Sequence, residues 1–187
     1  MKATITPSRL RELLDYDART GVFRWRVDTP RRRAGTVAGS VGADGYIIIG
    51  VDRHQYRAHR LAWLWEHARW PHPDVDHRNC VRSDNRLVNL REATAAVNAQ
   101  NRRTPNLGNT SGRLGVSWAA HAKRWKAQIL VGETKVHLGY FADKLDAEAA
   151  YRDAKAILHE GNTLTAPSHL DELNRGMIKM CMVGPVV

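Results

Sequence analysis

Between an amphipathic segment ending near Arg69 and an Ala-rich one beginning at Thr94, the chain runs through residues 70–94 without a regular hydrophobic period. This stretch is dense in Asp, Asn and Arg, and its apolar anchors are Val75, Leu87, Val88 and Leu90. Such a segment cannot build a core of its own. It is either a mobile loop or a set of polar groups that neighbouring elements hold in place for a chemical task.

The flanks are regular. The spacing of Leu10, Leu13 and Leu14 predicts a short helix over 8–15, then a turn over Asp17–Gly21 and a strand over Val22–Val27. Thr29–Arg33 reads as a basic loop. A hairpin is expected from Gly45–Val51 and His54–Ala58, turning at Asp52-Arg53. In 59–69, Leu61, Trp63, Leu64 and Ala68 recur at helical spacing, so His59 and His67 read as structural residues of a core helix.

Lys and Arg number 29 against 19 Asp and Glu, a formal charge of +10 scattered along 187 residues with no charged tail. A polyanionic partner is favoured, because phosphates attract such a surface and release counterions on binding. Two cysteines, Cys80 and Cys181, far apart, exclude a disulfide framework and zinc-knuckle spacing. The first residues are charged and helical rather than signal-like, and no apolar run reaches membrane-spanning length. The expectation is a protein of a reducing, cytoplasmic compartment, not secreted and without a membrane partner.

Within 74–101 the polar residues suit phosphodiester hydrolysis. A ββα reading puts Asp76-His77 on a first strand, a loop over 78–88, Asn89–Ala93 on a second strand and Asn98 on the helix that follows. A neutral imidazole is the side chain able to deprotonate water near pH 7, which makes His77 the candidate base. A hard divalent cation, Mg²⁺ or Mn²⁺, needs few protein oxygens, and Asp76 and Asn98 supply a sparse set of that kind. Asn89 is expected to hold the His77 ring through a backbone or side-chain hydrogen bond. Asp76 and His77 are neighbours, and neighbours in a regular strand face opposite ways, so both serve one site only where the strand ends or twists. Asp84 and Asn85 read as turn builders, Asn101 as an alternative ligand and Cys80 as a bystander.

Asp76-His77, Asp84-Asn-Arg-Leu-Val-Asn-Leu-Arg91 and Asn98 together resemble the HNH endonucleases of the phage and homing type, as do Ala58-His-Arg-Leu-Ala-Trp63 and Leu14–Gly21. The resemblance implies a ββα-metal fold, His77 as general base, Asp76 and Asn98 as metal ligands and Asn89 as the orienting residue. Arg86 and Arg91, beside that centre, are candidate DNA contacts.

Thr104–Gly112 has linker composition. Beyond it three strands (114–118, 125–131, 135–140) and a helix (143–159) are expected. Gly115-Val116, Trp125–Ile129, Leu138–Phe141 and Asp146–Tyr151 resemble the APETALA-type DNA-binding domain, which implies one sheet face on the helix and the other in the major groove. Alternation turns Trp125, Ala127, Ile129, Val136 and Leu138 toward the helix. It leaves Ser117, Lys126, Gln128, Lys135 and His137 outward, and with Arg113 and Arg124 these are the candidate DNA-binding residues. Leu114, Ser117, Leu130 and His137 stand where the plant domains carry Arg or Trp, which argues for backbone contacts over base readout. Trp125 and Tyr151 read as core, and Trp118 stays open.

The expected architecture is α+β: an N-terminal region and HNH nuclease domain over 1–103 with its ββα core at about 74–103, a linker over 104–112, a small three-stranded antiparallel sheet plus helix over 113–162, and a tail over 163–187. The expected partner is double-stranded DNA, engaged by a monomer or weak dimer. The competing expectation is a DNA-binding regulator that keeps the scaffold without cutting.

Overall fold

The computed structural model describes residues 5–30 and 32–163, so the expected tail, Thr163 apart, lies outside the described residues. Contacts divide the chain into two compact units with the boundary between Ala95 and Ala96.

The first unit opens with α1 (Pro7–Leu13), whose N-cap Thr6 accepts the Arg9 N–H at 3.2 Å, with Pro7 in the first turn where its missing N–H costs nothing. The helix stops earlier than its leucine spacing implied. Leu14-Asp-Tyr-Asp17 alternates apolar with acidic, a period of two, and forms β1 (Leu14–Asp17) antiparallel to β2 (Val22–Trp25). Gly21 closes the hairpin at φ +75°, a conformation that costs a glycine nothing.

A three-stranded sheet follows in the order β3 (Ser40–Val41), β4 (Ile47–Val51), β5 (His54–Arg57). Asp52 and Arg53 both take positive φ (47° and 63°) and make the expected two-residue turn. α2 (Ala58–His67) follows at once and buries Leu61, Ala62, Trp63 and Leu64. These pack with Leu10, Leu14, Phe23, Ile49, Val75 and Leu90 in one core. Each large side chain so buried contributes about 1.5–3 kcal/mol.

β6 (Asp74–His77) and β7 (Leu90–Ala93) form an antiparallel pair in the register Asp76↔Arg91 and His77↔Leu90. Ion pairs tie α2 and the segment just beyond it to this ladder, Arg60 to Asp74 at 2.7 Å and Arg69 to Glu92. α3 (Ala95–Gln100) comes directly after β7, but it groups with the second unit. There the Gly161 N–H donates to Gln100 Oε1 at 3.0 Å, and a Cβ on Gly161 would lie only 2.2 Å from the Val97 carbonyl oxygen.

The second unit holds β8 (Val116–Ala119), β9 (Arg124–Val131) and β10 (Thr134–Phe141) in the order β10-β9-β8, all antiparallel. α4 (Lys144–Leu158), capped by Asp143, packs Ala147 and Ala154 against Val116, Ala127, Ile129 and Val136. Of the residues that alternation turned inward, Ala127, Ile129 and Val136 are buried here, with Trp125 and Leu138 partly buried against them. Thr104–Gly112, expected as a linker, is folded at its end: buried Ser111 donates to the Val116 carbonyl at 2.7 Å, and Asn109 Nδ2 to the Arg113 carbonyl at 3.0 Å. Linker composition and a hydrogen-bonded turn draw on the same residues, Asn, Ser and Gly, so composition alone does not separate them. Among the described residues, no helix is long and apolar enough to cross a membrane.

Candidate active site

His77 is the last residue of β6, and it is 4 % exposed. Alternation puts it on the side of Val75 and Leu90, where its ring meets His59 of α2 edge-on at 4.8 Å and Tyr46 at 5.8 Å between centroids. Its Nε2 lies 3.2 Å from Asn85 Oδ1. The Asn85 amide nitrogen points to the Ser83 carbonyl, so an acceptor faces the imidazole and Nε2–H donates to it. In that tautomer the lone pair is on Nδ1. Burial pushes the His77 pKa below the ordinary histidine value, against the opposing pull of the Asn85 hydrogen bond and of Asp76 and Asp84. The ring is therefore neutral near pH 7, the form a base requires.

Asn89 lies at the far end of the same loop. Its side chain ties the loop together: Oδ1 accepts the Asn79 N–H at 2.9 Å and Nδ2 donates to the Asp84 carbonyl at 2.8 Å. Asn85, read from sequence as a turn builder, is 2 % exposed and supplies the hydrogen bond to the ring. Asp84 does build the turn. It accepts from Asn79 Nδ2 at 2.7 Å and pairs with Arg86, which lowers its pKa to about 2.

The loop carrying Asn85 rests on the N-terminal hairpin. The buried Tyr16 hydroxyl donates to the Asn85 carbonyl at 2.7 Å, and the Leu87 N–H donates to the Ala18 carbonyl at 3.3 Å. A Cβ on Gly21 would stand 2.5 Å from the Arg86 nitrogen and 2.6 Å from the Asn85 carbonyl carbon. The Leu14–Gly21 segment is therefore a support for the site loop. Tyr16 and Gly21 were missed as such, because a packing contact across more than sixty residues leaves no local pattern.

Asp76, 6 % exposed, faces the other way from His77 and receives Arg91 Nη2 at 2.8 Å and Nε at 3.1 Å on Oδ2. Arg91, a candidate DNA contact, is thus the carboxylate's cross-strand partner and is 15 % exposed in its side chain. Arg86 is likewise bound to Asp84. Asn98 lies on α3 with its side chain exposed, and Asn101 is buried with Oδ1 accepting from the Thr163 hydroxyl at 2.9 Å.

Among the described residues no three His, Cys, Asp or Glu side chains cluster as a closed metal site. One buried carboxylate does not fit a dehydrated ion with an all-protein shell. It fits a hydrated Mg²⁺-like ion that keeps its waters and takes further oxygens from a phosphate.

In the second unit, the register aligns Ser117 with Lys126, Lys126 with Tyr140, Gln128 with His137 and Leu130 with Lys135 on the face away from α4. A bulge between His137 and Gly139 brings Tyr140 onto this face, against His137 at 4.7 Å and with its hydroxyl 3.2 Å from His121 Nε2. Arg124 is exposed at the start of β9, while Arg113 is held by Glu148 of α4 at 2.9 Å. Trp118 is half exposed and meets Trp125 edge-on at 5.2 Å.

No curated protein and no solved structure matches the chain. Residues 56–100, which begin just before α2 and end with α3, match the family model described as HNH endonuclease, a family of DNA-cutting hydrolases that use a divalent metal ion, and the match takes in Asp76, His77, Asn85, Asn89 and Asn98.

Proposed function

We propose that the chain is a metal-dependent HNH endonuclease of the phage or homing type that nicks or cuts duplex DNA. The observation that carries this reading is His77: buried, neutral, with Nε2–H fixed on Asn85, inside the matched segment. His77 would take the proton of the attacking water through Nδ1 while Asn85 keeps the ring from turning. Asp76 would hold the Mg²⁺ or Mn²⁺, which would supply charge stabilisation at the departing 3′ oxygen. Asn89, by closing the 79–89 loop, keeps Asn85 in register with the imidazole. One such centre per chain makes a nick the unit event, so double-strand cutting would take a dimer or two successive nicks.

The second unit would serve as the duplex-positioning module, in the manner of the APETALA-type domain. Ser117, Arg124, Lys126, Gln128, Lys135 and His137 would lie along the backbone, and Arg113 would hold α4 rather than DNA.

The Arg91–Asp76 ion pair favours a second reading, a regulator that binds duplex DNA without cutting, because a cation would have to share a carboxylate already engaged by a guanidinium. Supercoiled plasmid incubated with Mg²⁺ or Mn²⁺ decides between them. Nicked product from the intact protein, absent with EDTA and with His77→Ala, is the expected result. Undiminished cutting by His77→Ala removes the proposed base, and no cutting with either metal favours the regulator.

A further inference from the structure

Three stretches of chain that are remote in sequence meet beside His77. Tyr46 leads into β4, Arg57 ends β5, and Arg82 lies in the loop after β6. The Arg57 guanidinium carbon is 4.3 Å from the Tyr46 ring centroid, and that of Arg82 is 5.1 Å away. The same ring is 5.8 Å from the imidazole of His77. Asp44 holds both arginines, accepting Arg57 Nη2 on Oδ2 at 3.1 Å and Arg82 Nη1 on its backbone carbonyl at 2.7 Å. The Arg82 stem runs alongside Gly45, which takes φ +83°.

Charge sets this group apart from the other arginines of the site loop. Arg86 has Asp84 and Arg91 has Asp76, one carboxylate to each cation. Arg57 pairs with the Asp44 carboxylate and Arg82 with its backbone carbonyl alone, so two cations face one carboxylate, the group is net positive, and both side chains are exposed. Holding two guanidiniums on one ring costs mutual repulsion that stacking only partly offsets. An anion between or beside them relieves it. A guanidinium has five N–H donors in a planar fork, and among the described residues the group engages one from each arginine. The fork matches a phosphate diester bidentately.

We propose that Arg57 and Arg82, stacked on Tyr46, form a phosphate clamp that grips the DNA backbone beside the phosphodiester presented to His77. The placement rests on His77 as the base, whereas the phosphate contact does not. Consecutive phosphates of one strand rise by about 3.4 Å along the duplex, so cations set off from the base by one aromatic ring meet a phosphate near the reacting one. Tyr46 is the positioning residue, since it touches both guanidiniums and the imidazole.

The test separates the clamp from the cutting. Binding of a duplex oligonucleotide is measured in EDTA against salt for the intact chain, Arg57→Gln, Arg82→Gln, the double variant and Arg82→Lys, with thermal midpoints confirming folding. Each Gln variant is expected to reduce the slope of log K against log salt by about one, and the double variant by about two. Arg82→Lys keeps the slope and binds more weakly, having the charge without the fork. An unchanged slope in the folded double variant overturns the clamp, whether or not the protein cuts. With Mg²⁺ or Mn²⁺, the Gln variants are expected to lose about tenfold or more in kcat at saturating DNA. A rise in KM alone would put the contact away from the reacting phosphate and overturn the placement. A reduced slope in a protein that never cuts leaves the clamp standing and removes only the nuclease reading.

Discussion

His77 Nε2 donates to Asn85 Oδ1 across 3.2 Å, with both side chains almost fully enclosed. This one contact fixes the imidazole tautomer and hence which nitrogen can take a proton. Asn85→Ala is expected to slow cutting by about 10- to 100-fold at saturating DNA, the range for groups that orient a reactive imidazole. Because the Asn85 bond raises the His77 pKa, its loss should move the acidic limb of the pH–rate profile to lower pH. A profile that stays in place with full activity would leave Asn85 as packing alone.

The support beneath the loop predicts a pair of remote effects. Tyr16→Phe removes the hydroxyl from the Asn85 carbonyl and should cost about 1–3 kcal/mol, the penalty for a buried acceptor left without its donor. Gly21→Ala should be worse, because the added carbon meets backbone at 2.5 Å and the φ of +75° disfavours any side chain. Denaturant unfolding ranks the two, and both should lose activity although neither touches substrate. Wild-type stability in Gly21→Ala would refute the close approach.

His59 gives the fold a pH dependence. It is 2 % exposed, its Nδ1 has no hydrogen-bond partner, and burial with the nearby His77 lowers its pKa to about 3. The folded chain holds it neutral while the unfolded chain protonates it near pH 6.5, so its contribution is complete above pH 6.5 and lost as pH falls toward 3. At pH 5 the loss should be about 2 kcal/mol, at 1.36 kcal/mol per pH unit below 6.5. His59→Phe, which cannot titrate, should flatten urea midpoints between pH 7 and pH 5. An equally steep decline in that variant would assign the dependence elsewhere.

The Arg91–Asp76 pair predicts how metal and stability are linked. Arg91→Ala takes the guanidinium from a buried carboxylate and should destabilise by about 3 kcal/mol or more. If Asp76 also holds the cation, Mg²⁺ or Mn²⁺ should restore part of this loss, by up to about 2.7 kcal/mol at a hundred times its Kd. Thermal melts of Arg91→Ala with and without metal are the measurement, with Asp76→Ala as control. Equal metal stabilisation of the Asp76→Ala variant would remove Asp76 from the ligand set.

Local pattern was enough to place most elements. Strand-like runs marked β4, β5 and β9, Asp52-Arg53 marked the turn between the first two, and the apolar spacing of 59–69 marked α2. The dense polar string identified Asp76, His77 and Asn98 as residues to test, and residues 56–100 match a nuclease family. Inward and outward positions of β9 also followed from alternation, since each peptide reverses the side-chain direction. Where two patterns overlapped, as at Leu14–Asp17, sequence could not choose, because a leucine serves a helix stripe and a strand face equally well.

Tertiary structure decided the partners. Which of Asn85 and Asn89 faces His77 depends on how the 78–88 loop folds over the N-terminal hairpin, and that is set by Tyr16 and Gly21 from the far end of the unit. That Arg91 is bound to Asp76, while Arg57 and Arg82 meet at Asp44 over Tyr46, depends on strand register and on where three loops converge. Hydrogen bonds and ion pairs act over a few ångströms of space whatever the distance along the chain. Residue type therefore told which chemistry was available, and only the fold told which side chains share it.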